Sequence, residues 1–548
     1  MRCRIAFAAV LVLVFSSLVA CSKVTTSSQP GQQSNAWTKH GVLRMAELTE
    51  PDTLNPFVGN QQIEADLSMF WAGYLFRWND RNEFVPELAT EVPTTQNGDI
   101  SKDGLAITYH LRKGVRWDDG QPFGADDVTY SWQQVMNKRN NVGSRQGYEL
   151  IERIDKKDDF TIIVHLRRVY APFVANFFSM APTVLNILPK HVLQGYADVN
   201  RVPYNDHPVG IGPFKVARYD HGSQLELVAN PRYWRGPPKL KRIDVKFIPD
   251  QNTIVTQLRT HEIDMERAGD PGYIDTYRSL PGMHVTITPF TAFAQLALNQ
   301  ERPVLRDKRV RQALTYAMDR QTIIRQVVRG VHSPANSDQP PFLWAYNPAV
   351  RTYPFDPSRA RALFDAAGWK RQPDGFRYRH GERLALQMVA NTGGGTTRKV
   401  ELIVQQQWRS VGVDASIKEY APPLYFASYG AGGILEGSKF DVAFFGWAGG
   451  VDPDDATLWM CDQIPPAGQN IYHFCDPALD RAEKTARTTY DQSYRKKAYD
   501  TIQNILAEEQ PAVFVWFINR VSVVNRDLKG FKPAHAVTVI WNPWEWEI

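Results

Sequence analysis

The stretch Leu111-Arg112-Lys113-Gly114-Val115-Arg116-Trp117-Asp118-Asp119-Gly120-Gln121-Pro122-Phe123, continued by Ala125-Asp126-Asp127-Val128, decides the reading of the fold. It opens where a strand ends. Ile107-Thr108-Tyr109-His110-Leu111 alternates apolar and polar residues with the period of a half-buried strand. Lys113-Gly114 and Asp119-Gly120 are tight-turn pairs, and Asp126 is placed to cap a helix. The charged residues here read as anchors of the backbone rather than as ligand contacts. A second β-rich run follows at Thr161–Leu166. The triplet His-Leu-Arg occurs at both ends of this region, at 110–112 and 165–167, and is too short to signal a repeat.

Helices become legible farther on. Val310, Ala313, Leu314, Ala317 and Met318 lie on one helical face, with Asp307 able to cap the start and Gly330 the end. Asp356-Pro357-Ser358 starts another helix, whose buried face is Ala360, Leu363, Phe364 and Ala367 and whose stop is Gly368. Ala498, Ile502, Ile505 and Leu506 mark a third, before Gln510-Pro511 and a strand at Val513–Phe517. This irregular alternation predicts mixed α/β domains rather than a barrel or a bundle. The chain has 548 residues, more than a single core of roughly 250–300 residues can serve, so two to four domains are expected. Hydrophobic residues are 43% and charged residues 22%, which excludes a disordered or fibrous chain. A net charge of +5 is too small over this surface to propose nucleic acid as a partner.

The N-terminus sets the compartment. Arg2 and Arg4 precede an uncharged stretch, Ile5–Ala20, that is shorter than the ~20 residues of a spanning helix and fits a secretory leader over residues 1–20. Leu18-Val19-Ala20-Cys21 resembles a bacterial lipobox, in which Cys21 would carry the lipid; the alternative is a plain leader with an incidental cysteine. Residues 21–35, rich in Ser, Thr, Gln and Gly, read as a flexible tether. Cys461 and Cys475 then remain as an even pair in an oxidising compartment. They read as a disulfide that staples the loop-forming Pro465-Pro466-Ala467-Gly468, the alternative being two buried thiols. Closing about 15 residues would stabilise by roughly 3 kcal/mol.

Catalytic constellations are missing. There is no His-Glu-x-x-His helix and no Gly-x-Ser-x-Gly elbow. Gly393-Gly394-Gly395 lacks the Gly-Lys-Ser/Thr ending of a phosphate loop and reads as a flexible entry to the helix that ends near Gly412. The twelve histidines are scattered, and no metal site or cofactor is expected. Asp452, Asp454 and Asp455 could support acid–base work, but Asp-Pro-Asp-Asp is equally a turn and helix cap.

The opening stretch is similar to the signature LRKGVxWxDGxPFxAxDV of the family 5 extracellular solute-binding proteins, the receptors of peptide-type ABC importers. Thr53-Leu54-Asn55-Pro56, Pro86-Glu87-Leu88-Ala89, Pro208-Val209-Gly210-Ile211-Gly212-Pro213-Phe214, Asn230-Pro231-Arg232-Tyr233-Trp234, Val310-Arg311-Gln312-Ala313 and Gly446-Trp447 extend the resemblance from about Gly41 to the C-terminus. The cysteine pair also resembles one in dipeptide-binding members.

The resemblance implies a periplasmic-binding-protein-like, two-lobe hinged α/β fold with an extra α/β domain on the first lobe. Lobe I would comprise 36–80, 208–287 and 517–548, the extra domain 81–207, and lobe III 288–516. It implies a monomeric, lipid-anchored receptor of the bacterial cell envelope, periplasmic or extracytoplasmic and not an enzyme. Such a receptor closes on an oligopeptide or dipeptide and passes it to an ABC permease with its ATPase subunits. The ligand would lie in a cleft flanked by Phe57–Ile63, including Asn60 and Gln62, and by Trp447, with Trp516 near the hinge. One departure stands out. The family's Asp for the ligand's α-amino group, counted back from Asp452-Pro453, falls at Gly449. Another acid, Asp452 or Asp454, then substitutes, or the ligand is not a simple α-amine. The alternatives are a cello-oligosaccharide, an opine-like compound, glutathione or a nickel complex, and, remotely, a hydrolase using carboxylates near Asp452.

Overall fold

A computed structural model describes residues 34–548, apart from 60, 180, 182, 183, 393 and 394. The leader, Cys21 and Asn60 therefore lie outside the described residues. Eleven strands form the main sheet: β1 (Val42–Glu47), β2 (Phe214–Asp220), β3 (Gln224–Ala229), β4 (Arg242–Phe247), β5 (Met265–Gly269), β6 (Met283–Leu298), β7 (Ser333–Pro334), β8 (Ala385–Asn391), β9 (Asp414–Tyr420), β10 (Val442–Ala448) and β11 (Ala512–Asn525). Their order is β9-β8-β10-β6-β11-β5-β1-β4-β3-β2, with β7 on β11. The edge strands β9 and β2 carry Lys418, Glu419 and Arg218 exposed. The mixed α/β class read from the sequence is the class observed.

β6 and β11 pair antiparallel along their lengths, and the register breaks between Pro289 and Phe293 and again between Ala294 and Gln295. On one side of the first break β11 also pairs with β5; on the other, β6 pairs with β10. Ala512–Phe517 is buried throughout, as expected of a strand covered on both faces. Ala294 faces Trp516 and Gln295 faces Phe514, so Val515 is one extra residue on β11. That bulge resets the alternation. Val513, Val515 and Trp516 enter one apolar core, while Phe514 and Phe517 enter the other.

A separate antiparallel sheet places Thr161–Leu166 between Ala106–His110 and Ile151–Asp158. Ile107 and Tyr109 point into its core with Ile162 and Val164, as the period-two pattern predicts. The opening motif is structural. The Asp118 amide donates to the Gly210 carbonyl at 2.8 Å, and the Asp118 carboxylate accepts from the Gly210 amide at 3.1 Å. The following helix starts at Ala125 with Gly124 as its cap, and Asp127, not Asp126, reaches back to the Gly124 amide at 3.1 Å. A Cβ at Gly210 would lie 2.4 Å from the Trp71 carbonyl oxygen, and one at Gly212 2.6 Å from that of Phe70. Only glycine permits so close an approach of two backbones.

The helix expected from Asp307 to Gly330 is two. Lys308–Tyr316 is capped by Asp307, and Arg320–Val327 by Asp319, whose carboxylate accepts from Thr322 N at 2.9 Å and restarts the helix. Pro357–Ala366 and Gln492–Glu509 form as read. Cys461 and Cys475 are joined as a disulfide.

A buried charge network ties β1, β5 and β11 to the helix Gln62–Ser68. Arg267 pairs with Glu47 at 2.9 Å and with Asp66 at 2.6 Å, and Arg520 reaches the same Asp66 oxygen at 3.1 Å. The Arg520 guanidinium lies 3.9 Å from the centroid of the Phe290 ring, beside the register break. Removing one partner of such a group leaves a buried charge without compensation. Asp66→Asn should lower unfolding stability by roughly 3–5 kcal/mol, measured by denaturant titration; a loss below about 1 kcal/mol would show the network to be dispensable.

Candidate functional site

A cavity of about 640 Å³ opens where β6 and the end of β10 meet the 143–149 turn. Trp447 forms part of its wall, half-buried and opposite Phe293 in the β6–β10 register. After β10 the chain turns, and the Gly449 amide donates to the Thr291 carbonyl at 2.6 Å. This fixes the backbone of Gly449 against the wall with no carboxylate on it. The acids follow in Asp452-Pro453-Asp454-Asp455.

Each acid has its own environment. Both oxygens of Asp452 are held by Arg495, at 2.8 and 2.6 Å. Asp454 accepts from the Tyr170 hydroxyl at 2.6 Å and from Gln146 Nε2 at 3.0 Å, and lies 3.5 Å from Arg487 Nε. Gln146 and Tyr170 belong to the region of the smaller sheet, so Asp454 links it to the turn after β10. Asp455 accepts from Gln339 Nε2 at 3.0 Å and from Trp459 Nε1 at 3.2 Å. Behind it stands Glu483, fully buried on the helix Pro477–Arg487. Burial, then the neighbouring Asp338 and Glu483, holds the Asp455 carboxyl well above the usual carboxylate range. Burial, and next Asp454, pushes Glu483 from 4.5 up to about 8.

The structure brings Trp447, Gly449 and Asp452 together on the cavity wall. It does not bring Gln62 or Trp516 there. Gln62 spends its amide on Asp66 at 3.3 Å and on the Val537 carbonyl at 2.7 Å. Trp516 is 3% exposed, packed between His332 and Phe444 as a result of the bulge at Val515. The described residues of Phe57–Ile63 do not line this cavity either: Phe57 is buried in the core of the smaller sheet, and the facing wall comes from 143–146, 148–149, Asn176, Ala181 and Leu185. With both oxygens held by Arg495, Asp452 is not placed as a free general base. None of the described lining residues is a histidine or cysteine. Outside the cavity, Glu91, Asp99 and His110 bring three potential ligand atoms within 4.8 Å of one another, with His110 already 3.1 Å from Asp99.

Asp338, Gln339 and Glu483 were not legible as a group. Asp338 and Glu483 are far apart in the chain, in a loop and in a helix. The available signal was Glu483 itself, which occupies the apolar face of Leu479, Ala482 and Ala486, where a carboxylate has no ordinary reason to be.

A large mixed sheet built on two shared strands, with a polar cavity of ligand size beside them, is an architecture suited to holding a small molecule. Residues 83–467 match the family described as bacterial extracellular solute-binding proteins, family 5 Middle, and the chain belongs to that family. It is 26% identical to the oligopeptide-binding protein AppA of Bacillus subtilis (strain 168) over 98% of this chain and 97% of that one. It is 28% identical to the dipeptide-binding protein of Escherichia coli (strain K12) over 82% and 84%. The structure of NikZ from Campylobacter jejuni in complex with Ni(L-His) superposes with a TM-score of 0.81 at 26% identity, covering 93% of this chain and all of that one. The periplasmic-binding-protein-like fold class is thereby established. The family is one of binding receptors rather than enzymes. No described helix is long and apolar enough to cross a membrane.

A carboxyl whose pKa is higher in the folded than in the unfolded chain favours folding most while protonated. The contribution of Glu483 is complete below about 4.5 and is lost as pH climbs through about 8. Glu483→Gln should flatten the decline of the unfolding midpoint between those values and raise it at the alkaline end. Parallel parent and variant curves, read by scanning calorimetry, would refute this placement of the charge.

Proposed function

We propose that the chain is a lipid-anchored receptor that captures short peptides and delivers them to an ABC permease. The observation that carries this is the two-signed cavity. Asp338 and Asp455 stand on its wall together with the cations Arg168 and Lys484, which are exposed. A zwitterion with separated ammonium and carboxylate ends matches such a wall; a neutral sugar does not use it. Trp447 offers an indole face to the ligand. The oligopeptide- and dipeptide-binding relatives support the same reading. Cys21 and the tether would keep the receptor at the membrane of the bacterial cell envelope.

The register break between Pro289 and Phe293 supports a hinge in the pair β6–β11, with lobe I (36–80, 208–287 and 517–548) and lobe III (288–516) moving about it and 81–207 riding on the first. Strand backbones are stiff where ladders are continuous, and a bulge is where they bend. Closure around the ligand would create the surface that the permease recognises.

Calorimetric titration with di- to pentapeptide mixtures should show saturable heat, and native mass spectrometry should find peptide carried through purification. A non-peptide ligand such as a nickel chelate in that spectrum, with no heat from any peptide, would sink the reading. Gly449 gives a second test. A Cβ there would meet only the Thr291 carbonyl oxygen, at 3.5 Å, so an aspartate fits without displacing backbone. Gly449→Asp should raise affinity for peptides with a free α-amine over their N-acetylated forms by about tenfold, or about 1.4 kcal/mol. Equal change for both forms would show that the position does not face the ligand's amine.

A further inference from the structure

Asp338, Asp455 and Glu483 stand together with no cation at ion-pair distance; Arg487 acts on Glu483 from farther off. Asp455 contacts both of the other carboxyls. Asp338 is 3% exposed and Glu483 is fully buried. The hydrogen bonds they receive come from neutral groups: Gln339 Nε2 to Asp338 at 3.2 Å and to Asp455 at 3.0 Å, and Trp459 Nε1 to the same two at 3.3 and 3.2 Å. Asp338 Oδ1, Asp455 Oδ1 and both oxygens of Glu483 accept nothing from a described protein donor and have no surface of their own.

The charged groups around them are already engaged. Arg495 is taken by Asp452 and Arg487 lies against Asp454. The Tyr472 hydroxyl is taken by Gln295 at 2.6 Å, and that of Tyr499 accepts from Arg495 at 3.3 Å. Among the described residues no lysine, arginine or histidine forms an ion pair with any of the three acids. Burying three carboxylates with no opposite charge is too costly to persist, so the cluster must hold protons or receive a cation. Asp338 and Asp455 both line the cavity, which gives a cation a way in.

We propose that Asp338 and Asp455, backed by Glu483, receive a positively charged group of the ligand, an ammonium or a guanidinium, and that its arrival expels a proton from the cluster to solvent. This rests on the receptor reading and supplies the acid that Gly449 lacks. The incoming cation meets the cluster through the wall residues Asp338 and Asp455, and the gain in charge is offset by the proton that leaves. A cluster selecting for cations also explains a polar Gln339 whose amide bridges two acids: it holds them apart at a fixed spacing when the site is charged.

The test is calorimetry on the full mature chain with four probes: Ala-Ala-Ala, its N-acetyl form, agmatine and cadaverine, each in phosphate and in Tris at one neutral pH. The cationic probes should bind with heats that differ between the buffers, which reports proton release. The N-acetyl peptide should bind at least about tenfold more weakly. Asp338→Asn and Asp455→Asn, tested separately, should each weaken the cationic probes by about tenfold or more and remove the buffer dependence. The unfolding midpoint of Asp455→Asn at neutral pH should hold or rise, because burial and the neighbouring acids hold that carboxyl well above the usual carboxylate range. The site stands, and the peptide reading falls, if the two amines bind with proton release but neither peptide binds. Both fall if none of the probes binds. The proposal is overturned if the acetylated and free peptides bind alike, if the variants lose stability while binding is unchanged, or if only a divalent cation added alone releases the proton.

Discussion

β6 and β11 lie antiparallel over most of their lengths, and every other strand of the main sheet reaches them directly or through a neighbour. Hydrogen bonding between strands is obligatory for buried backbone, so the two halves of the sheet cannot separate without breaking this pair. The ladder is interrupted between Pro289 and Phe293, and Val515 adds a residue one turn of the pleat away. Arg520 closes the same region with its charge on Asp66 and its plane on Phe290. Bending at an interrupted ladder costs little compared with unpairing it, and the side chains that flank the interruption set how far it can go.

The cavity lies where this arrangement brings the turn after β10 against the 143–149 segment. Its chemistry follows from a division of the acids. Asp452 and Asp454 each have an arginine and serve structure, tying one part of the protein to another. Asp338, Asp455 and Glu483 have only neutral donors. Of these five carboxyls, two are therefore ion-paired and three are not. The distinction comes from where the arginines are engaged: Gln492–Glu509 carries Arg495, which pairs with Asp452, and Pro477–Arg487 carries Arg487, which lies against Asp454 rather than forming an ion pair with Glu483.

Much of the fold was legible. The stretch from Leu111 to Val128 gave its strand end, its two turns and its helix because turn glycines and local carboxylates act over a few residues. The capping role went to Asp127 instead of Asp126 because a glycine at the cap needs an acid three residues on. Trp447 of the Gly-Trp pair and Gly449, singled out from the sequence, both fall on the cavity wall. Trp516 does not, because a single extra residue reverses which face a strand side chain takes, and no local pattern announces a bulge. Gln62 lies away from this cavity for a related reason: its partners, Asp66 and the Val537 carbonyl, include one nearly at the other end of the chain. The buried carboxyl cluster is likewise a product of tertiary packing, visible in sequence only as one glutamate out of keeping with its apolar helix face.

The sheet is open, and its outermost strands are β9 and β2. Each leaves one row of backbone donors and acceptors unpaired, the surface on which a second copy could add itself. Lys418 and Glu419 on one margin and Arg218 on the other put charge on those rows, and a neighbour docking there would have to strip water from it. The protein thus resists edge-to-edge association through its margins, leaving the cavity free to be polar.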